Sequence, residues 1–434
     1  AAKKAFGSWS STSIEERSAL LFKIADLIEA NIDELSELES KDNGKPVWLC
    51  RKVDIPRSAA NFRYFAKAIT QFGSEVYDMG NKGFNYTLRK PHGPVVCISP
   101  WNLPLYLLTW KIAPALAAGN TVVAKPSEVT PLSAFFLSKL CIEAGLPAGA
   151  LNICHGTGGQ VGKALIEHKD VKAVSFTGGT VTGKIVARAC SERLIPCSLE
   201  LGGKNPALVF DDCDFDYTVK ELVRSSFTNQ GQICLCSSRL LIQDSIYEKF
   251  KESFISEVEK LVVGDPSSDE SNLGAMVSKE HYEKVLGWLE VARGEGATFL
   301  TGGGVAKVSG CENGFFIRPT VLEGLSNRCQ TNQEEIFGPV VTLQRFADFA
   351  EALELANDSK YGLSATVWSR SLRRCHAAGE KLEAGIIWVN SWLQRDLRTP
   401  FGGMKESGLG REGGVEALYF FTEPKNICIN YSNF

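Results

Sequence analysis

Much of what would give a function away at sight is missing from this sequence. It has no C-x-x-C pair, and its five histidines (His92, His155, His168, His281, His376) are scattered, so no zinc-type ligand spacing exists and no metal is expected. No apolar run approaches the roughly 20 residues that span a bilayer. Ala1 to Ser13 lacks the continuous hydrophobic core of a signal peptide. Neither sign of charge dominates: the formal net charge is −3, so neither nucleic acid nor an anionic membrane is an expected partner. Thirteen cysteines, an odd count spread thinly, suit buried free thiols in a reducing, cytoplasmic setting rather than a disulfide framework. What is there is an ordinary globular composition, 44% apolar and 22% charged, over 434 residues. That length exceeds one simple core, so two or three domains are expected.

The pattern along the chain is α/β. Residues 13–40 read as an amphipathic helix, with Ser13 and Glu16 at capping-box spacing. Gly44 and Pro46 end it, and a second helix is expected over 54–69. From Val95 short β-rich runs (95–99, 121–124, 151–154, 173–176) alternate with helical stretches (105–118, 131–144, 161–167, 181–189). Such alternation predicts a parallel sheet with right-handed crossovers. A second series follows through 240–243, 247–260, 279–294, 340–345, 349–357, 364–368 and 385–390, which predicts a second α/β domain joined to the first near residues 200–205.

The chemistry concentrates in a few segments. Asn229-Gln230-Gly231-Gln232-Ile233-Cys234-Leu235 puts one cysteine just after a Gly-containing turn, thirty-four residues after Glu200-Leu201-Gly202-Gly203 begins. A nucleophilic thiol needs access, polar groups that favour its thiolate and a nearby base. Cys234 is therefore the candidate nucleophile, although a lone cysteine is more often simply buried. Lys125-Pro126-Ser127-Glu128 puts a cation and an acid at a strand end, where a carboxylate suits the two hydroxyls of an adenosine ribose. Gly158 and Gly162, and Phe176-Thr177-Gly178-Gly179 before a helix, are glycine-rich turns of the kind that let backbone amides approach a pyrophosphate. Their spacing is not G-x-G-x-x-G, and by themselves such loops are often just turns. Asn102, between Pro100 and Pro104, either donates a hydrogen bond into a cleft or caps the next helix.

Pro100-Trp101-Asn102, Lys125-Pro126-Ser127-Glu128, Phe176-Thr177-Gly178, Leu199-Glu200-Leu201-Gly202-Gly203-Lys204, Gly231-Gln232-Ile233-Cys234, Glu335-Ile336-Phe337-Gly338-Pro339 and Pro400-Phe401-Gly402-Gly403-Met404-Lys405 together resemble the aldehyde dehydrogenase superfamily, in its order and spacing across nearly the whole chain. The resemblance implies a Rossmann-like NAD-binding domain over 1–72 and 92–202. It also implies an α/β catalytic domain over 203–405 and a small β oligomerisation arm over 73–91 and 420–434, hence a homodimer or homotetramer. It implies Cys234 as nucleophile, Glu200 as general base and Asn102 as the side-chain half of the oxyanion hole. Trp101, Lys125, Glu128, Gly158, Gly162, Phe176, Gly178, Gly179, Glu335 and Phe337 are the implied cofactor contacts, and NAD the cofactor. Measured against the family, Ala1 falls some tens of residues inside the first domain.

The loop Asn390–Phe401 corresponds to the family's substrate funnel, and so does the helix bearing Arg57. Arg57, Arg395 and Arg398 there suit a carboxylated aldehyde, since guanidinium groups bind carboxylates bidentately. The bland alternative pairs Arg395 with Asp396 at the surface and leaves Arg57 solvated. These loops, with Leu103–Lys111, resemble the branch that oxidises 2-aminomuconate and 2-hydroxymuconate semialdehydes in tryptophan (kynurenine) catabolism or a related ring-cleavage route. Alternatives are an apolar aldehyde such as retinal, or a non-catalytic structural protein on the same fold. The latter would be expected to lose Cys234, Glu200 or Asn102, and all three are present.

Overall fold

Of the four sheets among the described residues, three organise the chain, and the fourth is the two-stranded pair Tyr361–Gly362 with Met404–Lys405. The computed structural model describes residues 1–431. The first sheet has six strands in the order Gly408–Leu409, Cys197–Glu200, Ala173–Thr177, Pro94–Ile98, Thr121–Lys125 and Leu151–Ile153. All neighbours are parallel except Gly408–Leu409, which runs antiparallel to Cys197–Glu200. Pro94–Ile98 and Ala173–Thr177 are buried along their whole length, as strands covered on both faces must be. One covering layer is the helices Ile14–Ala30, Ile55–Ile69 and Pro104–Ala117, whose Ile24, Phe62, Phe65 and Leu108 share a core with Val95 and Cys97. On the other face Val186 and Cys190 of the helix Thr180–Glu192 pack with Val96 and Val174.

From Pro94–Ile98 the chain winds outward through Thr121–Lys125 to Leu151–Ile153, then crosses back to lay Ala173–Thr177 on the other side. The winding reverses between Pro94–Ile98 and Ala173–Thr177. In open parallel sheets the crevice beyond the carboxyl ends of two such strands is the ligand site.

Only residues 201–204 separate this sheet from the second, whose seven strands run Thr298–Thr301, Thr320–Glu323, Val340–Phe346, Ser237–Gln243, Asn205–Val209, Ser364–Trp368 and Ile386–Val389. The third sheet is antiparallel and pairs Gly83–Pro91 with both Val76–Asp78 and Thr422–Asn430. Of the arm expected over 420–434, residues 432–434 lie outside the described residues.

The capping box is present: Glu16 N–H donates to Ser13 Oγ at 3.2 Å, and Ser13 N–H to Glu16 Oε2 at 3.1 Å. The helix expected over 13–40 is two helices, Ile14–Ala30 and Ile32–Asn43, broken at Asn31 with φ −113° and ψ 26°. Asn31 Nδ2 donates to Leu27 O at 2.8 Å, the kind of local side-chain bond that makes Asn a poor helix-interior residue. Ala2–Ser11 is a further helix that the sequence pattern did not announce.

Candidate active site

Two loops leave the carboxyl ends of the strands that flank the reversal. One carries Trp101 and Asn102. The other carries Gly178 and Gly179, which caps the N-terminus of Thr180–Glu192. With Cys234, His281, Glu335 and Phe337 they line a cleft of about 700 Å³. Thr177 and Thr180 each bury a hydroxyl oxygen without a protein partner, at a helix N-terminus suited to an anion. Phe176 does not line the cleft. It lies in the sheet core, its ring beneath Gly178, where a Cβ would come within 2.5 Å of it.

Lys125, Glu128, Gly158 and Gly162 form a second cluster at the end of Thr121–Lys125. Lys125 Nζ donates to Glu128 Oε2 at 2.9 Å, and Gly158 N–H to Glu128 Oε1 at 3.1 Å. Partial burial works against the Glu128 charge, yet these bonds hold its carboxyl below the ordinary value.

The cysteine turn is strained and tied down. Asn229, Gln230 and Gly231 all take left-handed backbone, at φ 54°, 57° and 69°. Glycine adopts it freely, but each L-residue there costs about 1–2 kcal/mol. Asn229 Nδ2 donates to Asn102 O at 3.0 Å and Gln230 Nε2 to Ala275 O at 2.7 Å, which hold the turn. A Cβ on Gly231 would meet Gly338 O at 2.1 Å. Beyond the thiol, Asn205 Nδ2 donates to Cys234 O and Cys236 O, and Trp392 Nε1 to Leu235 O. Strain of this kind persists where function needs a fixed geometry. Asn102 caps no helix: Leu103 precedes Pro104–Ala117. Its Nδ2 donates to Gln232 O at 3.0 Å, two residues before Cys234.

Electrostatics correct the expectation of a thiolate-favouring setting. Burial, then the Glu335 and Glu200 carboxyls, push the Cys234 thiol well above its ordinary value, with Arg395 opposing. The resting thiol is protonated at neutral pH, so activation has to come with the ligands or from a base. Iodoacetamide labelling of Cys234, read by peptide mass, should therefore be slow at pH 7. It should keep rising past about pH 9, because below its pKa a thiol gains about tenfold in thiolate per pH unit. A plateau reached below about pH 8 would contradict this.

Two more acids share the site. Burial raises the Glu335 carboxyl to about 7, against the Gly203 N–H that donates to its Oε1 at 2.9 Å. Glu200 is buried with neither oxygen bonded to protein. Burial first and Glu412 second push it well above the carboxylate range, while Lys111, Arg411 and Arg395 pull the other way. Glu412 Oε1 takes a 2.5 Å contact from Lys111 Nζ and a 3.0 Å bond from Ser175 Oγ. Sequence reading missed this cluster. The available signal was Lys111 itself, a cation on the almost wholly buried helix Pro104–Ala117, where lysine is rare unless paired. His281 was also missed. Its ring lies 4.8 Å from Trp101 and its Nε2 donates to Phe337 O at 2.7 Å, with Phe337 at φ 61°. Burial lowers His281 to about 4, so it is neutral.

The arginines sort differently from expectation. Arg398 is exposed and pairs with Asp396, Nη2 to Oδ2 at 2.6 Å and Nε to Oδ1 at 3.0 Å. The surface pair read for Arg395 thus belongs to Arg398, which is not brought to the cleft. Arg395 turns inward, its Nη1 donating to Tyr106 OH at 2.7 Å and its guanidinium 4.1 Å from the Phe401 ring. Arg57 is not solvated but half-buried, 5.3 Å from the Tyr106 ring and 5.2 Å from Trp110. Its Nη2 is buried without a protein partner.

An open parallel sheet whose crevice opens onto a thiol-bearing turn leading into the second sheet defines a class, the dinucleotide-dependent oxidoreductases with a cysteine at the cleft. The chain belongs to the aldehyde dehydrogenase family, whose model matches residues 1–427, and it is an enzyme of that family. It is 48% identical over 435 residues to 2-aminomuconic semialdehyde dehydrogenase of Danio rerio, covering 99% of this chain and 89% of the relative. It is 47% identical over 429 residues to 2-hydroxymuconic semialdehyde dehydrogenase of Pseudomonas sp. (strain CF600), covering 98% and 88%. The NAD+ complex of aldehyde dehydrogenase from Bacillus cereus matches with a TM-score of 0.96 at 38% identity, across 99% of this chain and 87% of that one.

Proposed function

We propose that this aldehyde dehydrogenase oxidises a carboxylated semialdehyde to the acid, with 2-aminomuconate semialdehyde as substrate, a step of tryptophan (kynurenine) catabolism. The observation that carries the substrate is the pair Arg57 and Arg395, two guanidinium groups on one aromatic wall of Tyr106, Trp110 and Phe401. Arg395 is close enough to act electrostatically on both Cys234 and Glu200. A carboxylate bound bidentately there would hold its aldehyde toward the thiol. The muconate semialdehyde relatives support the same reading.

NAD is the cofactor and supplies the hydride acceptor. Lys125 and Glu128 would hold the adenosine ribose, the Glu128 charge repelling a 2′-phosphate. The unpartnered hydroxyls of Thr177 and Thr180 fit the pyrophosphate, and Glu335, Trp101 and Phe337 the nicotinamide end. The Cys234 thiol gives up its proton to solvent water as Sγ bonds to the aldehyde carbon, and the Asn102 amide steadies the resulting oxyanion. Loss of hydride leaves a thioester on Cys234. Glu200 in its carboxylate form, which Lys111, Arg411 and Arg395 favour, takes a proton from water, which hydrolyses the thioester and frees the acid and the thiol. The three-stranded sheet, with Val76, Tyr77 and Ile429 exposed, is proposed to take a second copy of this chain, as dimer or tetramer. No helix among the described residues is long and apolar enough to cross a membrane, and a cytoplasmic setting completes the proposal.

NADH formation with a muconate-type semialdehyde, beside hexanal and retinal, tests the substrate. Arg57→Ala and Arg395→Ala should each raise KM for the dicarboxylic semialdehyde about tenfold or more and leave KM for hexanal unchanged, while Arg398→Ala changes little. Equal losses on both substrates would mean that the arginines only brace the loop. Activity confined to apolar aldehydes would replace this reading with a retinal-type one.

A further inference from the structure

Residues 39–45 belong to no part of the site described so far, yet three of their side chains hold the loop that carries Trp101 and Asn102. Glu39 Oε2 accepts the Leu105 N–H at 3.0 Å, Asn43 Nδ2 donates to Trp101 O at 2.8 Å, and Lys45 Nζ donates to Asn102 O at 3.0 Å. The Lys45 side chain is wholly buried, with Asp54 Oδ2 at 2.5 Å and Glu39 Oε1 at 3.5 Å. Ligand-type atoms of Glu39, Cys50 and Asp54 lie within 4.8 Å of one another, but the Lys45 ammonium among them supplies the positive charge that a cation would bring. Burying an ion pair is expensive, and apolar residues of the same size often give equal or better stability. The cluster therefore calls for a reason beyond stability.

Asn102 O supplies one. It accepts from Lys45 Nζ and also from Asn229 Nδ2, the left-handed residue of the cysteine turn. A single carbonyl thus ties the Asn102 loop to a buried ammonium on one side and to the cysteine turn on the other. An oxyanion donor works only when its position is set before charge develops, and a misplacement of about 1 Å can cost about 10²-fold in rate.

We propose that Lys45, backed by Asp54 and Glu39, is a positioning residue for the oxyanion donor: its ammonium fixes the Asn102 main chain and so aims the Asn102 side-chain amide at the thiol. The inference rests on the reading of Asn102 as that donor. Lys45→Met, uncharged and of similar length, should slow single-turnover NADH formation about 10–100-fold. KM for the aldehyde, NAD affinity and iodoacetamide labelling of Cys234 should stay within about twofold, a split that general damage to the fold would not produce. Because the effect acts through Asn102, adding Lys45→Met to Asn102→Ala should cost nothing further.

If thermal unfolding shows that the unpaired Asp54 charge unfolds Lys45→Met, the neutral pair Lys45→Met/Asp54→Asn carries the same measurements with the same expected results. A folded Lys45 variant with the wild-type rate overturns the proposal, as do losses that multiply in the Asn102→Ala background. Normal turnover by Asn102→Ala would instead overturn the reading of Asn102 and this inference with it. A slow Asn102→Ala beside a normal Lys45→Met would overturn this inference alone.

Discussion

Asn102→Ala should turn over about 10²–10³-fold more slowly than the unchanged enzyme, with Cys234 as open to iodoacetamide as before. The two readouts separate because alkylation of a thiol builds no oxyanion, whereas attack on an aldehyde does. Asn102 suits the role because its amide is already oriented: Nδ2 donates to Gln232 O at 3.0 Å in the segment that leads into Cys234. Its main-chain carbonyl accepts from both Lys45 and Asn229. The oxyanion would exchange one acceptor for another without moving the donor, which is why such preorganised groups contribute so much to rate. Near-wild-type turnover by Asn102→Ala would leave the oxyanion to backbone groups alone and remove Asn102 from the chemistry.

The second large effect is expected at Glu200. Glu200→Gln should give a burst of about one NADH per site and then a steady rate at least about 10²-fold below normal, because a positioned general base contributes 10²–10⁴-fold. The exchange is nearly isosteric, and neither carboxyl oxygen is bonded to protein, so the fold has little to lose. It also removes the repulsion from Glu412 that helps push the Glu200 carboxyl upward. Hydride transfer precedes the need for water, so the first turnover should survive. Rapid-mixing absorbance decides the matter, and a variant with no burst would mean that Glu200 acts earlier, on the thiol.

Periodic and capped elements were legible. The helices Lys279–Gly294 and Phe349–Asn357 and the strand Ser364–Trp368 begin and end where their hydrophobic periods do. Cys234 and Asn102, each read from a short motif, line one cleft, although contacts remote in sequence hold both in place. Asn31 was not legible, because the amphipathic pattern continues across the break and only the bond to Leu27 O interrupts it. The arginines were misjudged for a related reason. Their loop has no period to read: Asn390 and Leu393 take left-handed backbone at φ 50° and 58° and reset the direction of the chain.

The sequence by itself therefore determined the family, the order of the elements and the chemical types gathered at the cleft, since motifs and periods are local properties of the chain. Only the tertiary structure decided that Arg395 rather than Arg398 turns inward, that burial pushes the Cys234 thiol up, that Lys45 bonds to the Asn102 carbonyl and that Glu412 lies near Glu200. Those outcomes depend on partners remote in sequence: Arg395 bonds to Tyr106 across 289 residues, and Lys111 to Glu412 across 301. Charge state and side-chain direction are set by whatever atoms share the same few ångströms, and only the folded chain brings those atoms together.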